Sequence, residues 1–172
     1  MRQVSVLAAV SSVVVVAVLA ACASQPAMPP GAEATLAPTK GHTASGTVVF
    51  TPIRGQVLVT ASVSGLKPNS EHGFHIHEKG DCSAGDGMSA GGHFNPGTAP
   101  HARHAGDLSN LKTDASGNAI FRFETDAISL TPGASNNVIG RSVVVHANPD
   151  DYTSQPAGNS GPRVACGVIA AR

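Results

Sequence analysis

The sequence predicts an all-β domain, and three observations carry that reading. Apolar residues alternate with polar ones at a period of two, and no stretch keeps a helical period. Short β-branched runs recur along the chain. Glycine and proline, 19 and 12 of 172 residues, punctuate the stretches between them. Short strands with frequent turns indicate a sandwich or a barrel.

The elements follow in order. Met1-Arg2 is a short positive start. Val4 to Val18 is apolar apart from Ser5, Ser11 and Ser12, and Leu19-Ala20-Ala21-Cys22 closes the run. These are the charged, apolar and small-residue parts of a secretory signal peptide over 1–21. The closing four residues resemble a bacterial lipobox, with Cys22 as the lipidated first residue of the mature protein. An uncleaved transmembrane anchor is the alternative, because the run approaches spanning length. Residues 22–43 are rich in Ala, Pro, Ser, Thr and Gly. Such a stretch cannot bury a core, and it reads as a flexible Pro/Ala-rich tether.

That places the domain at 44–172, or 172 − 43 = 129 residues, an ordinary size for one domain. Trp is absent, so Val, Ile, Leu, Ala and a few Phe must build the core. Loss of Arg2 with the signal leaves 11 − 1 = 10 Lys+Arg against 11 Asp+Glu, a net charge near −1. No basic patch argues for nucleic acid.

Gly46 to Phe50 and Gln56 to Val63 read as strands joined by a short turn at Pro52 to Gly55. In the second, Val57, Val59, Ala61 and Val63 share a face. Asp114-Ala115-Ser116-Gly117-Asn118 is a turn before the strand Ala119 to Phe123. Ser142 to His146 is a β-branched strand, and Val164 to Ala170 reads as the last one.

The histidines point to chemistry. Six of the eight fall in an ordered series: His75, His77, His93, His101, His104 and His146. In Phe74-His75-Ile76-His77, residues i and i+2 share a face. Phe74 and Ile76 would enter a core while both imidazoles face the other way. Neutral imidazole suits copper, zinc, iron and nickel. A lone strand histidine is usually a structural hydrogen-bonder, but two on one face with four more downstream indicate a metal site. His101, His104 and Asp107 are spaced i, i+3, i+6 and can converge on one ion from a turn. With His93 they make three imidazoles and a carboxylate, a set that suits structural zinc. A solvated His-rich loop is the bland alternative. His146 stands where its strand leaves the sheet, a natural place for a ligand.

In this setting the chain from about residue 44 to 172 resembles copper/zinc superoxide dismutase. The matching segments are Gly73 to Glu78, Ser89 to Pro96, His104 to Leu108, Ile139 to Arg141, Val144 to His146 and Gly161 to Ile169, in family order. The resemblance implies an eight-stranded Greek-key β-barrel, a flattened sandwich, with two functional loops.

It also implies roles. His75, His77 and His146 match the terminal copper ligands, and His93 the ligand bridging copper to zinc. His101, His104 and Asp107 match the remaining zinc ligands. Asp150 matches a carboxylate that hydrogen-bonds one histidine at each metal, fixing tautomer and orientation. Arg163 matches the channel arginine that positions superoxide, a task suited to a planar guanidinium. Arg163 and His93 are the catalytic pair the resemblance implies, with His93 passing a proton to product. The implied reaction converts superoxide to dioxygen and hydrogen peroxide at a redox-cycling copper, with zinc structural.

Of three cysteines, Cys22 is assigned to lipid. The family disulfide implies a bond between Cys82 and Cys166, as an oxidising compartment would favour. Two buried free thiols are the alternative. The lipobox-like motif implies attachment to a bacterial membrane through palmitate-type acyl chains on Cys22, on the periplasmic or outer face, and the family resemblance admits a homodimer. Two departures stand out. His101 and His104 are only three apart, so the zinc loop must take a different path. The segment Ala147 to Pro162 contains no Lys or Arg, which leaves superoxide steering to Arg163. A copper-storage protein with little turnover is the alternative function. The complete ligand set and Arg163 argue against it.

Overall fold

The computed structural model describes Met1 and residues 31–172. Residues 2–30, which hold the rest of the signal peptide, Cys22 and the first part of the tether, therefore lie outside the described residues. The described residues form ten strands in chain order: β1 (Ala32–Pro38), β2 (Ser45–Ile53), β3 (Gln56–Ser64), β4 (Glu71–His72), β5 (Phe74–His77), β6 (Leu111–Lys112), β7 (Ala119–Thr125), β8 (Ser142–His146), β9 (Arg163–Val168) and β10 (Ala170–Ala171). One 3₁₀ turn covers Met88–Ala90.

The main sheet has the order β5-β8-β9-β1-β2-β3-β7, with β10 on β1, and β4 pairs with β6. Every strand pair is antiparallel. The jumps from β3 to β7 and from β5 to β8 are of the Greek-key kind. The sheet curls: β5 and β7 end its path, yet Phe74 and Phe121 meet edge to face with centroids 5.1 Å apart. One apolar core, including Val48, Phe50, Val59, Phe74, Ile76, Leu111, Val143 and Ile169, fills the interior.

Most elements follow the expected pattern. In β3, Val57, Val59, Ala61 and Val63 are buried on one face. The β2–β3 hairpin narrows to Arg54-Gly55, both at positive φ (48° and 81°), the two-residue turn whose twist suits a hairpin. The expected last strand splits into β9 and β10.

One boundary is corrected. The sequence reading ended a flexible tether at residue 43, but Ala32–Pro38 is β1, paired with β2, β9 and β10. Ala32, Ala34 and Leu36 alternate into the core at 0, 0 and 2 % exposure. Two of those three are alanines, so the alternation carries too little hydrophobicity to stand out from a Pro/Ala-rich linker. β1 nonetheless joins the two halves of the sheet, β9 on one side and β2 on the other.

Beginning the domain at residue 44 should therefore abolish cooperative unfolding, because β2 and β9 lose their common partner. A domain beginning at residue 31 should unfold cooperatively. Leu36→Ala in it should cost about 2–5 kcal/mol, as for buried leucines elsewhere. Urea titration followed by circular dichroism checks all three.

Candidate metal centre

The site is built on the outer face of β5, β8 and β9. In β5, Phe74 and Ile76 enter the core while His75 and His77 point the other way, at 0 and 1 % exposure. Val143, Val144 and Val145 of β8 are all fully buried. Val143 and Val145 belong to the interior core, whereas Val144 joins Ala90 and Cys166 in a second cluster beneath Cys82. A strand covered on both faces reads as an unbroken apolar run, which explains Val-Val-Val.

A register shift falls between Val145 and His146, after which His146 stands directly opposite Arg163. Such irregularities re-aim side chains beside sites. Disulfide Cys82–Cys166, with Cα atoms 5.7 Å apart, ties loop 81–87 to β9 across 84 residues of sequence. A loop that long makes the bond worth about 4–5 kcal/mol in the chain-entropy picture.

Two groups of potential ligand atoms form here. The nitrogens of His75, His77, His93 and His146 lie within 4.8 Å of one another, as do ligand atoms of His93, His101, His104 and Asp107. All seven sequence-identified ligand residues are thus brought together, and His93 is common to both groups.

The surrounding hydrogen bonds select which nitrogen faces inward. His77 Nδ1 meets the Gly91 carbonyl at 2.9 Å and His146 Nδ1 the Gly161 carbonyl at 3.1 Å. A carbonyl only accepts, so both Nδ1 atoms carry the proton and both Nε2 atoms are bare. Those two Nε2 atoms face each other at 3.4 Å. Asp150 does the reverse for two more residues: Oδ2 accepts from His75 Nε2 and Oδ1 from His101 Nε2, each at 2.8 Å. The atoms left over, His75 Nδ1 and His101 Nδ1, are buried without a hydrogen-bond partner, as is His93 Nε2. Buried polar atoms are rarely left so. Bare nitrogens converging on two points suit a pair of metal ions.

The short loop carrying His101 and His104 converges by a backbone device. Ala102 sits at φ 62°, in the left-handed region, and Arg103 N–H donates to the Pro100 carbonyl at 3.1 Å. This tight turn brings His101 and His104 together despite their i, i+3 spacing. Asp107 Oδ1 lies 2.7 Å from His93 Nδ1 and 3.2 Å from His104 Nδ1, and Oδ2 lies 3.3 Å from His101 Nδ1.

Several supporting residues carried no recognisable sequence signal. Asn110 brackets Asp150, accepting its N–H at 2.9 Å and donating to its carbonyl at 3.1 Å. Tyr152 Oη accepts the Asn110 N–H at 2.9 Å. His72 Nδ1 donates to the His146 carbonyl at 2.8 Å. Gly158 sits at φ 60°, and a Cβ there would collide with Asp150 Oδ1.

Arg163 Nη1 donates to Gly87 O at 2.7 Å and Nη2 to Gly91 O at 2.6 Å. Gly91 O is also the acceptor for His77. One carbonyl therefore sets both the arginine and a histidine of the four-histidine group.

Burial drives the ionisation pattern. It pushes His75 down to about 4 against the raising effect of its Asp150 hydrogen bond. It pushes His146 down to about 3, helped by the neighbouring His75. It holds His77 well below the usual histidine range, helped by His146 and His93. At neutral pH all three are neutral and able to ligate. Burial opposes charge on Asp107 and Asp150, but hydrogen bonds from histidines outweigh it, and both carboxyls stay below their ordinary range.

The sign of the pH effect follows. His75, His77 and His146 have folded values below the unfolded 6.5. Their contribution is complete above about pH 6.5 and is lost as pH falls toward 4 and below. The metal-free domain should lose stability over that window, on the order of 1 kcal/mol per pH unit for each histidine. Urea midpoints between about pH 8 and 4 check this; a flat profile below 6.5 would contradict the buried-neutral assignment.

Comparison with known proteins gives the same answer as the geometry. The copper/zinc superoxide dismutase (SODC) family model matches residues 44–169. Cu-Zn superoxide dismutases 2 and 1 of Aquifex aeolicus are each 43% identical over 122 residues, spanning 66% of this chain and 71% and 72% of theirs. The Cu-Zn superoxide dismutase of Paramecium bursaria Chlorella virus 1 is 42% identical over 136 residues, spanning 72% of this chain and 71% of its own. Among solved structures, the clock protein EA4 superposes with a TM-score of 0.74 at 40% identity, over 86% of this chain and 98% of its own. A SOD-like protein from Bacillus subtilis gives 0.72 at 33% identity, over 78% and 95%. The chain belongs to the copper/zinc superoxide dismutase family, and its activity is the dismutation of superoxide with copper and zinc as cofactors.

Proposed function

We propose that copper is held by His75, His77, His93 and His146, and zinc by His93, His101, His104 and Asp107, in an enzyme anchored to a bacterial envelope through Cys22. The observation that carries the residue assignment is His93. Its Nδ1 lies 2.7 Å from Asp107 in one group, and its Nε2 is buried and unpartnered beside the other. One imidazole with two ring nitrogens serving two groups is what a bridged pair of metals needs.

Bound copper supplies one-electron redox chemistry, turning two superoxide anions and two protons into one dioxygen and one hydrogen peroxide. The protein's residues do the rest. Asp150 holds one histidine of each group in the ligating tautomer. Gly91 and Gly161 hold His77 and His146 in theirs. Zinc, which has no redox chemistry, would keep His93 oriented from the Nδ1 side. His93 Nε2 is the atom that can take up a proton when it is not ligating. Arg163 spends two of its five N–H donors on Gly87 and Gly91. The remaining donors are available for a small anion.

Activity of the purified, tag-free domain should vanish when copper is removed and return on adding copper alone. His77→Ala should abolish activity and weaken copper retention. Arg163→Glu should slow the enzyme far more than Arg163→Lys, within the roughly 10–10³-fold range of charged clefts. Added salt should slow the wild type and speed the Glu variant. Metal content and pulse-radiolysis rates on the same samples check these. Near-normal activity of copper-loaded His77→Ala would sink the ligand assignment.

The envelope reading rests on the charged start, the apolar run and Leu19-Ala20-Ala21-Cys22. Stable anchoring needs more than one acyl chain, and a lipidated Cys22 can carry them. Metabolic labelling with a palmitate analogue should mark the wild type and leave Cys22→Ser unlabelled. Equal labelling of the two rules the motif out.

A further inference from the structure

β1 leads directly to the backbone of Arg163. Ala37 and Pro38 pair with Cys166 and Ala165 of β9. Beyond them, Thr39 N–H donates to Val164 O at 3.1 Å, and Thr39 Oγ1 donates to Arg163 O at 2.6 Å. The next residue turns the other way: Lys40 N–H donates to Gly85 O at 2.6 Å. The Lys40 stem lies over Gly85, where a Cβ would stand 3.6 Å from Lys40 Cβ and 3.9 Å from its Cδ.

Two residues on, Gly87 touches both partners. A Cβ there would stand 3.3 Å from Arg163 Cβ, Arg163 Cδ and Thr39 Cγ2 alike. Lys40 and Arg163 thus flank one short loop, which the Cys82–Cys166 bond pins to β9. Lys40 is exposed, and it forms no ion pair with a carboxylate among the described residues. Asp86, exposed, lies between Gly85 and Gly87 in this loop, and its Oδ1 accepts Met88 N–H at 2.9 Å. Its charge acts on Arg163.

We propose that Lys40 is a second cation steering superoxide to this channel, and that Asp86 is the charge opposing it. This rests on the reading of Arg163 as the residue that receives the anion. The segment after His146 contains no Lys or Arg, so the lysine comes from the β1–β2 connection instead. Its backbone is fixed on both sides while its ammonium stays in solvent, where long-range attraction acts and salt screens it. In water at low ionic strength, where the Debye length is about 30 Å, a unit charge roughly 8–10 Å from an anion changes its encounter rate about twofold.

The test is kcat/KM by pulse radiolysis across a range of ionic strengths, with copper and zinc content and Tm measured on each sample. Lys40→Gln should lower kcat/KM about twofold at low salt and flatten the salt dependence, with metal content and Tm unchanged. Lys40→Arg should restore both. Asp86→Asn should raise kcat/KM by a similar factor. Arg122→Gln, on the outer face of β7, removes one positive charge elsewhere and should leave the salt slope at the wild-type value. A wild-type slope in Lys40→Gln, or failure of Lys40→Arg to restore it, overturns the proposal. Arg163→Glu separates the two readings. If it inverts the salt response while Lys40→Gln does not alter it, only the Lys40 role fails. If it leaves the response intact, the Arg163 reading fails first.

Discussion

The two bonds from Asp150, to His75 and His101 at 2.8 Å each, are the constraint on which the rest of the site depends. They join one histidine from each group through a single carboxylate, and they decide which nitrogen each presents. With Nε2 committed, both residues must turn Nδ1 inward. His77 and His146, bonded through Nδ1 to backbone carbonyls, are held in the opposite tautomer, so tautomer selection here is a property of the fold. A carboxylate this buried is costly unless its lone pairs are filled. Here two imidazoles and the Tyr152 N–H fill them, and Asn110 holds the backbone behind. Gly158 completes the arrangement by leaving room for the carboxylate.

The scaffold beneath has one unusual demand. A barrel normally buries one face of its sheet and leaves the other to water. In this protein β8 is covered on both, by the interior core and by the loops carrying the site. His75 and His77 are therefore exterior residues of the barrel yet interior residues of the protein. Their depressed ionisation follows from that second burial. The disulfide keeps the covering loop in place, and the same loop supplies Gly87 and Gly91, which hold Arg163 and His77. Arg163 and His77 thus share the Gly91 carbonyl as a common acceptor.

The residues that converge in the two groups were legible in the sequence because their signal is local. Period two places His75 and His77 on one face, and the downstream series repeats one residue type at ligand-like intervals. The turn that joins His101 to His104 was less legible: i, i+3 spacing looks too tight until Ala102 takes a left-handed conformation, which its residue type does not announce. β1 was hidden because Ala32 and Ala34 are small, and a strand of small residues is told from a linker only by what pairs with it. The residues that orient Asp150 were illegible for a different reason. Asn110, Tyr152 and Gly158 act through contacts formed only after loops from distant parts of the chain close over β8.

The misplaced boundary has a functional consequence. A tether ending at residue 43 would leave Thr39 and Lys40 in solvent, unrelated to the channel. Because β1 is a central strand, these residues are fixed against β9 and loop 81–87 instead. The loop after His146 is thereby released from providing cations. It is committed to holding Asp150: Asp151 is consumed by Thr153, Ser154 and Asn159 in its own turn, and Gly158 is needed as glycine. A short loop cannot both wrap a buried carboxylate this closely and project long basic side chains over the channel. Delivering positive charge from the opposite rim, on a backbone already fixed by sheet pairing, meets both requirements without lengthening either loop.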